Sequence, residues 1–390
     1  MNSFSTLTGL ACSQTDEVIT ADEPRNLSAA GFPLLARYDL EQAARTLQRH
    51  TLADRPKSMW RYHEVLPAPN ADAIVSMGEG MTPLISAPRL GPEIGVRQLW
   101  LKDEGRNPTG SFKDRGMSAA LTMARSLGVQ RLVMPTAGNA GGSAAAFAAR
   151  AGLPIHVYMP KTATPVNHFE AHHYGAEVTV VDGYLDECGR LASLHAAEHG
   201  AFELSTFKEP YRVEGKKTMA YELVEQMDGT LPDVIVYPTG GGTGLVAMWK
   251  AFDELEALGW IDSQRPRMIS VQSTGCAPIV KAFNDGMETA EHWQDVTTHI
   301  SGLTAPRVFA DRLCLQAIRE SGGTAIALPD EAAIEFARHS AAIEGVSICP
   351  EGGMCLTALS ELVNRGDVDK DSRVVAFNTA NANKYTDLLG

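Results

Sequence analysis

No stretch of this chain reaches the run of about 18 apolar residues that a membrane-crossing helix needs, so no membrane span is expected. Cysteine is sparse and scattered: Cys12, Cys188, Cys276, Cys314, Cys349 and Cys355 include no CxxC pair. That argues against a disulfide frame or a zinc site and for reduced thiols in a cytoplasmic protein. The N-terminal MNSFSTLTGLACSQ has neither a basic n-region nor a proper apolar core, so no signal peptide is expected. Basic charge is short as well. Lys and Arg number 34 against 47 Asp and Glu, a net charge of -13, which speaks against nucleic acid and anionic membrane as partners. A local basic pocket can still take an anionic small molecule. His168, His172 and His173 have a helical spacing, but no cysteine or further histidine lies near them, and a solvated helix face explains them. No metal is expected.

What is present is an ordinary globular composition, 44% hydrophobic and 21% charged. A chain of 390 residues is long enough for two or three domains. Residues 1–75 read as an extension, with a helix over Asp39–Gln48, closed by the segment PAPNADA ahead of GEGMTPL. From Leu99 onward strands and helices alternate. Strands are expected at Arg131–Pro135, Ile155–Met159 and Glu177–Val181, with helices at Ser143–Ala151, Pro165–Tyr174 and Leu185–His199. A second series runs from helix Gly215–Met227 through strand Val234–Tyr237 and helix Leu245–Leu258 to strand Arg373–Phe377, with an unpatterned stretch over 287–308. This alternation predicts an α/β fold of two parallel-sheet domains, with ligands at the carboxyl ends of strands.

The stretch KDEGRNPTGSFKDRG (102–116) places Lys113 just past a Pro-Thr-Gly-Ser turn, at the front of a predicted helix. Ser111 is suited to cap it and Asp114 to complete a short capping box; Phe112, Leu121, Ala124 and Leu127 give it an apolar face, and Gly128 closes it. A lysine there meets the positive end of the helix dipole, which favours the neutral, nucleophilic amine. Lys113 is therefore a candidate Schiff-base lysine, the alternative being an ordinary first-turn lysine.

Two glycine loops follow predicted strands. Gly240, Gly241, Gly242, Thr243 and Gly244 open a helix and can turn several backbone N–H groups toward one phosphate, with the Thr243 hydroxyl adding to them. The loop lacks a Gly-Lys-Ser/Thr ending and a GxGxxG with its acidic partner, so neither ATP nor NAD is indicated. The loop 136–142, TAGNAGG, holds Thr136 and the amide Asn139. A third cluster, STFKEPYRVEGKK (205–217), gathers Lys208, Arg212, Lys216 and Lys217. Arg212 could grip an anion bidentately, while a solvated charge run is the alternative.

Taken together these pieces resemble the threonine synthase family of pyridoxal phosphate enzymes, within the tryptophan-synthase-β-like fold. NPTGSFKDRG (107–116) is the most specific match, supported in the family's order by GEGMTPL (78–84), AGNAGGSAAAFAARAGL (137–153), PYRVEGKKT (210–218) and PTGGGTG (238–244). The resemblance implies the cofactor pyridoxal 5'-phosphate in a cleft between a large domain (76–116 with 214–390) and a small mobile domain (117–213). It implies that Lys113 forms the Schiff base and then acts as base at the substrate α-carbon. Gly240, Gly241, Gly242, Thr243 and Gly244 would hold the cofactor phosphate, Asn139 would bond the pyridine 3-hydroxyl, and Thr379 would face the pyridine nitrogen. Arg212, with Ser205, Thr206 and Thr136, would bind the substrate, O-phosphohomoserine, which loses phosphate and gains water to give threonine. A homodimer is expected.

Departures from the family pattern bear on the substrate. Ala137 and Ala140 stand where family members carry threonines in Ser-Thr-Gly-Asn-Thr, and Thr379-Ala-Asn-Ala-Asn-Lys384 replaces Thr-Gly-His-Gly-Leu-Lys. Lost hydroxyls at a polar site can change specificity by orders of magnitude. A paralogue acting on another amino acid, of cysteate synthase or serine/threonine dehydratase type, is therefore a second expectation, and a non-enzymatic nucleotide-binding protein a third. Many relatives also carry paired N-terminal cysteines; here Cys12 is joined by Thr15, Ser28 and Gly31, so no zinc is expected.

Overall fold

A computed structural model describes residues 4–390; the first three residues of the extension expected over 1–75 lie outside the described residues. Strands β1 (Leu7–Cys12), β2 (Val18–Ile19) and β3 (Leu34–Tyr38) open the chain, followed by β4 (Leu84–Ser86) and β5 (Gln98–Asp103). Then come β6 (Leu132–Pro135), β7 (Ile155–Pro160), β8 (Glu177–Val181) and β9 (Phe202–Glu203). The last four are β10 (Val234–Pro238), β11 (Arg267–Ser273), β12 (Thr324–Leu328) and β13 (Arg373–Asn378). The chain divides into two compact units, Met1–Met81 with Lys113–Met219, and Thr82–Phe112 with Ala220–Gly390.

The first unit holds a parallel sheet of order β8-β7-β6-β9 and a small antiparallel sheet of order β2-β1-β3. The helix Lys113–Ser126 is buried on nearly every side. Met117, Ala120, Leu121 and Ala124 pack with Leu132, Phe147, Val157 and Met159, while Ala119 and Met123 pack with Leu10, Leu34, Met59 and Trp60 of the N-terminal segment. Polar bonds fix that second face: Trp60 Nε1 donates to Ser118 Oγ at 2.8 Å, Ser118 Oγ to the Val75 carbonyl at 2.7 Å, and the Val75 amide to Thr122 Oγ1 at 2.9 Å. The N-terminal segment thus clamps the back of the helix that Lys113 begins. Gly128, with φ +75°, ends it, and the Val129 amide reaches back to the Ala124 carbonyl at 2.9 Å.

Elsewhere the sheet elements follow the expected alternation, with three corrections. The helix expected over Asp39–Gln48 is only Leu40–Ala43, although Asp39 does cap it through the Gln42 amide. The second helix of the first unit starts at Ala140 rather than Ser143 and so includes Gly141 and Gly142. Bulk at Gly141 would press on Thr136 and bulk at Gly142 on Glu170, so packing overrides glycine's poor helix propensity. The helix expected from Gly215 begins at Tyr211.

The second unit is a six-stranded sheet of order β12-β11-β10-β13-β5-β4. It is parallel throughout except for the β4–β5 pair. Its apolar core runs through Leu99, Leu101, Val234, Val236, Ile269, Val271, Leu359 and Val374. Because β5, β13 and β10 are adjacent and parallel, the segments leaving their carboxyl ends emerge side by side.

Candidate active site

Those three strand ends gather the second unit's candidate residues. After β5 the chain turns through residues 104–110 and runs back along the segment that follows β13. Ser111 forms a bridge with Ala380, the Phe112 amide donates to the Thr379 carbonyl at 3.0 Å, and the Asn381 amide donates to the Gly110 carbonyl at 2.9 Å. Gly110 has φ +75°, and a Cβ there would lie 3.1 Å from Lys384 Cε, so the turn needs glycine. Below it, Asn378 Nδ2 ties β13 to β5 through Asp103 Oδ1 at 2.8 Å. Burial pushes the Asp103 carboxyl up from its ordinary value, opposed by that bond. The residue that follows Phe112 is Lys113, so its backbone leaves this unit beside Thr379.

Phe112 also meets Tyr237 edge to face, with ring centroids 6.3 Å apart. Tyr237 lies in β10, immediately before the glycine loop. Here the helix Thr243–Ala257 begins, with Gly242 in the left-handed conformation at φ +77°. The loop is pressed against its own unit. Added Cβ atoms would collide with the Gly302 carbonyl at Gly240, with Cys314 Sγ at Gly242 and with the Tyr237 hydroxyl at Gly244. Leading amides of a helix have no acceptor within the helix, and this fifteen-residue helix adds its positive end. That donor set fits a phosphate. Thr379, only 5% exposed, brings its hydroxyl 3.9 Å from Cys349 Sγ.

The first unit gathers the other candidates at the carboxyl edge of its parallel sheet. Lys113, half-buried, is the first residue of its helix. The Asp114 carboxylate accepts the Ser143 hydroxyl at 2.6 Å. This ties the start of the Lys113 helix to the first turn of the helix Ala140–Ala151, where Asn139 is the N-cap residue. Thr136 follows β6 and Ser205 follows β9, and β6 and β9 are paired and parallel. Thr136 Oγ1 accepts the Gly138 amide at 3.2 Å. The Ser205 hydroxyl donates to Glu203, and Thr206 is half-buried. Of the two alanines in the substrate loop, Ala140 belongs to the apolar core and Ala137 is half-buried, its carbonyl 3.4 Å from Asn167 Nδ2.

The basic segment is not a solvated charge run. Arg212, Lys216 and Lys217 are fully buried, and all lie inside the helix Tyr211–Gln226. Glu209 opens that helix: its carboxylate accepts the Tyr211 and Arg212 amides at 3.0 and 2.7 Å. Arg212 Nη1 donates to the Leu204 carbonyl at 2.6 Å, while its Nε is buried with no partner. Burial lowers the Arg212 guanidinium to about 10, opposed by Glu209. Burial likewise raises the Glu209 carboxyl to about 7, against the Tyr211 and Arg212 amides and the charges of Arg212 and Lys216. Lys217 pairs with Glu214 at 2.7 Å and lies over the Tyr38 ring.

Sequence reasoning did not single out Glu209 or Tyr237; it read Cys349 only as a reduced thiol and placed Phe112 on the helix's apolar face, whereas the helix begins at Lys113 and Phe112 packs on Tyr237. Of these only Glu209, an acid directly before Pro210 at a helix start, carried a readable signal. Among the described residues no group of three or more His, Cys, Asp or Glu side chains is placed to hold a metal, and all six cysteines are free. Cys12 Sγ instead bonds Ser28 Oγ at 3.2 Å.

Comparison with known proteins agrees with this architecture. The family model for pyridoxal-phosphate dependent enzymes matches residues 75–380. A threonine synthase of Methanocaldococcus jannaschii is 34% identical over 97% of this chain and 92% of its own length. One of Mycobacterium tuberculosis is 35% identical over 84% and 88%. In fold the chain is similar to the diaminopropionate ammonia lyase of Escherichia coli, at 19% identity and a TM-score of 0.70 over 99% of this chain and 98% of that one. Membership sets aside the non-enzymatic nucleotide-binding expectation. The chain belongs to the threonine synthase family of pyridoxal-phosphate-dependent enzymes, and it is a lyase that works with pyridoxal phosphate.

Proposed function

We propose that the protein converts O-phospho-L-homoserine and water to L-threonine and inorganic phosphate. The observation that carries this reading is the convergence of three adjacent parallel strand ends. It delivers Thr379, the turn into Lys113 and the approach to the glycine loop to one edge of a sheet. Threonine synthases similar over most of the chain support it. So does the buried Arg212, which keeps a guanidinium nitrogen without a protein acceptor.

In this reading the cofactor supplies the electron sink that stabilises negative charge at the substrate carbons. Lys113 holds the cofactor and moves the proton at the substrate α-carbon. The amides of Gly240, Gly241, Gly242, Thr243 and Gly244 bind the cofactor phosphate. Asn139 would bond its ring hydroxyl, and Thr379 would offer its ring nitrogen a hydroxyl in place of a carboxylate. Arg212 binds the substrate phosphate, with Ser205, Thr206 and Thr136 lining the same end of the sheet. Residues 117–213 form the small mobile domain, and the protein works as a cytoplasmic homodimer. Six free buried thiols support a reducing compartment.

The test is a substrate screen on cofactor-loaded protein. Stoichiometric release of phosphate from O-phosphohomoserine with formation of threonine is the expected result. Turnover of other amino acids alone, giving pyruvate, 2-oxobutyrate or a sulfur-containing product, contradicts the assignment.

A further inference from the structure

After β9 the backbone reverses over Ser205–Lys208. The Lys208 amide donates to the Ser205 carbonyl at 3.1 Å, and the Glu209 amide to the same carbonyl at 3.2 Å. Phe207 takes the third position of this turn with φ +60°, a place that turn geometry gives to glycine or asparagine. A phenylalanine there is strained, and such strain persists only where the surroundings over-determine the backbone. Burial supplies part of the restraint, since Phe207 is 2% exposed. The rest comes from far away in sequence. Asn26 Nδ2 donates to the Glu203 carbonyl at 2.8 Å and to the Lys208 carbonyl at 2.9 Å, so one side-chain amide commits both its hydrogens to the two ends of the turn. Asn26 is itself anchored. It precedes a tight reversal in which Leu27 bridges Pro33 and the Ser28 amide donates to the Phe32 carbonyl at 3.0 Å; Cys12 Sγ on β1 bonds Ser28 Oγ at 3.2 Å. The Glu203 carboxylate accepts the Ser205 hydroxyl and, at 3.0 Å, the Lys208 amine. Thr206 is left with the turn's uncommitted hydroxyl, half-buried and bonded to no other described residue. Arg212 grips the same stretch, its Nη1 donating to the Leu204 carbonyl at 2.6 Å. Asn26 lies outside residues 75–380, the part of the chain that the family model matches.

We propose that Asn26 is a positioning residue for substrate binding: by clamping both ends of the Ser205–Lys208 turn it fixes the Thr206 hydroxyl and the Leu204 carbonyl that holds Arg212. This rests on the reading that the substrate is a phosphate ester bound by Arg212 and Thr206. Without the amide, Phe207 relaxes toward negative φ and the turn loses the shape that presents Thr206. Leu204 then shifts, and Arg212 loses the acceptor that orients it. Cofactor binding, assigned to other segments, is untouched. The N-terminal extension thereby serves recognition of the substrate as well as packing behind the Lys113 helix.

The test combines steady-state kinetics of the cofactor-loaded full chain on O-phosphohomoserine with amide hydrogen exchange. Asn26→Asp keeps the size of the side chain but puts a carboxylate, which cannot donate, against two carbonyls. We expect KM to rise at least about tenfold, with kcat within about threefold and cofactor affinity within about twofold of wild type. The Lys208 and Glu209 amides, which bond the Ser205 carbonyl, should exchange at least about tenfold faster. Asn26→Ala should follow the same pattern with a smaller rise in KM, about threefold to tenfold. A wild-type KM in Asn26→Asp overturns the proposal. So does an equal loss of substrate and cofactor affinity, which makes Asn26 a packing residue only. Should the aspartate variant fail to fold, the alanine variant decides: an unchanged KM there overturns the proposal. If the wild type turns over O-phosphohomoserine but any of these contrary results is found, the inference fails while the function stands. If the wild type does not turn over O-phosphohomoserine, both fail.

Discussion

Lys102 and Lys113 stand in a single stretch of sequence, and the fold gives them different surroundings. Lys102 is fully buried in the second unit, where its amine donates to the Thr82 carbonyl at 2.8 Å, to Glu222 at 2.6 Å and to Gln226 at 2.9 Å. Three acceptors on two segments, the approach to β4 at Thr82 and the helix Tyr211–Gln226, make it a fastener. Lys113 lies half-buried at the first position of a helix. A helix start gives a positive local potential, unfavourable to an ammonium. The lesson is that burial with saturated partners marks a lysine as structural, whereas partial exposure at a helix start suits one that forms a bond.

That contrast can be broken experimentally. Lys113→Ala should abolish turnover while the folding free energy changes by no more than about 1 kcal/mol, measured by denaturant titration. Retained turnover would end the distinction. Lys102→Met should do the reverse. Leaving Glu222 as an uncompensated buried charge costs about 3–5 kcal/mol, read as a lower denaturation midpoint, with any residual folded protein still able to take up cofactor. A smaller effect is expected for Arg212→Ala: a rise of about tenfold or more in KM for the phosphorylated substrate, with little change in cofactor affinity. Equal losses in both would make Arg212 a second fastener like Lys102.

Much of the architecture was legible in the sequence. Strand Glu177–Val181 and helix Leu185–His199 match the expectation to the residue, because the helix closes on Gly200 in the left-handed conformation, a local signal. The glycine loop after β10 was also readable, since strand, glycines and helix follow one another directly. What could not be read is set by distant contacts. Nothing near Arg212 in sequence announces that the run 211–217 is buried; that follows from its packing against the Lys113 helix, seen in how Gly215 abuts the Arg115 backbone. Nor does any local pattern reveal that Phe112 bonds Thr379 across the sheet, because the pairing depends on the strand order β10-β13-β5.

The mildest expected effect concerns the other end of the first unit. His156, on β7, stacks on Tyr158 at 4.5 Å and approaches His195 at 4.6 Å, and His195 lies 4.4 Å from His199. Burial, then His156 and His199, hold the His195 ring below its ordinary value of 6.5, with Glu177 and Glu198 opposing. A depressed folded value means the contribution to stability is intact above 6.5 and is lost as pH falls below it. The melting temperature should therefore drop on acidification from about pH 7 to about pH 5, and His195→Gln should flatten the slope. An unchanged slope would show that the stack tolerates protonation.

The most direct measurement is reduction of the cofactor-loaded protein with borohydride, followed by peptide mapping. The visible band should vanish and the pyridoxyl group should be found on Lys113, in the peptide that carries NPTGSFKDRG. Recovery of that group on another lysine, or a protein that never acquires the band, would contradict the assignment of Lys113 as the residue that holds the cofactor.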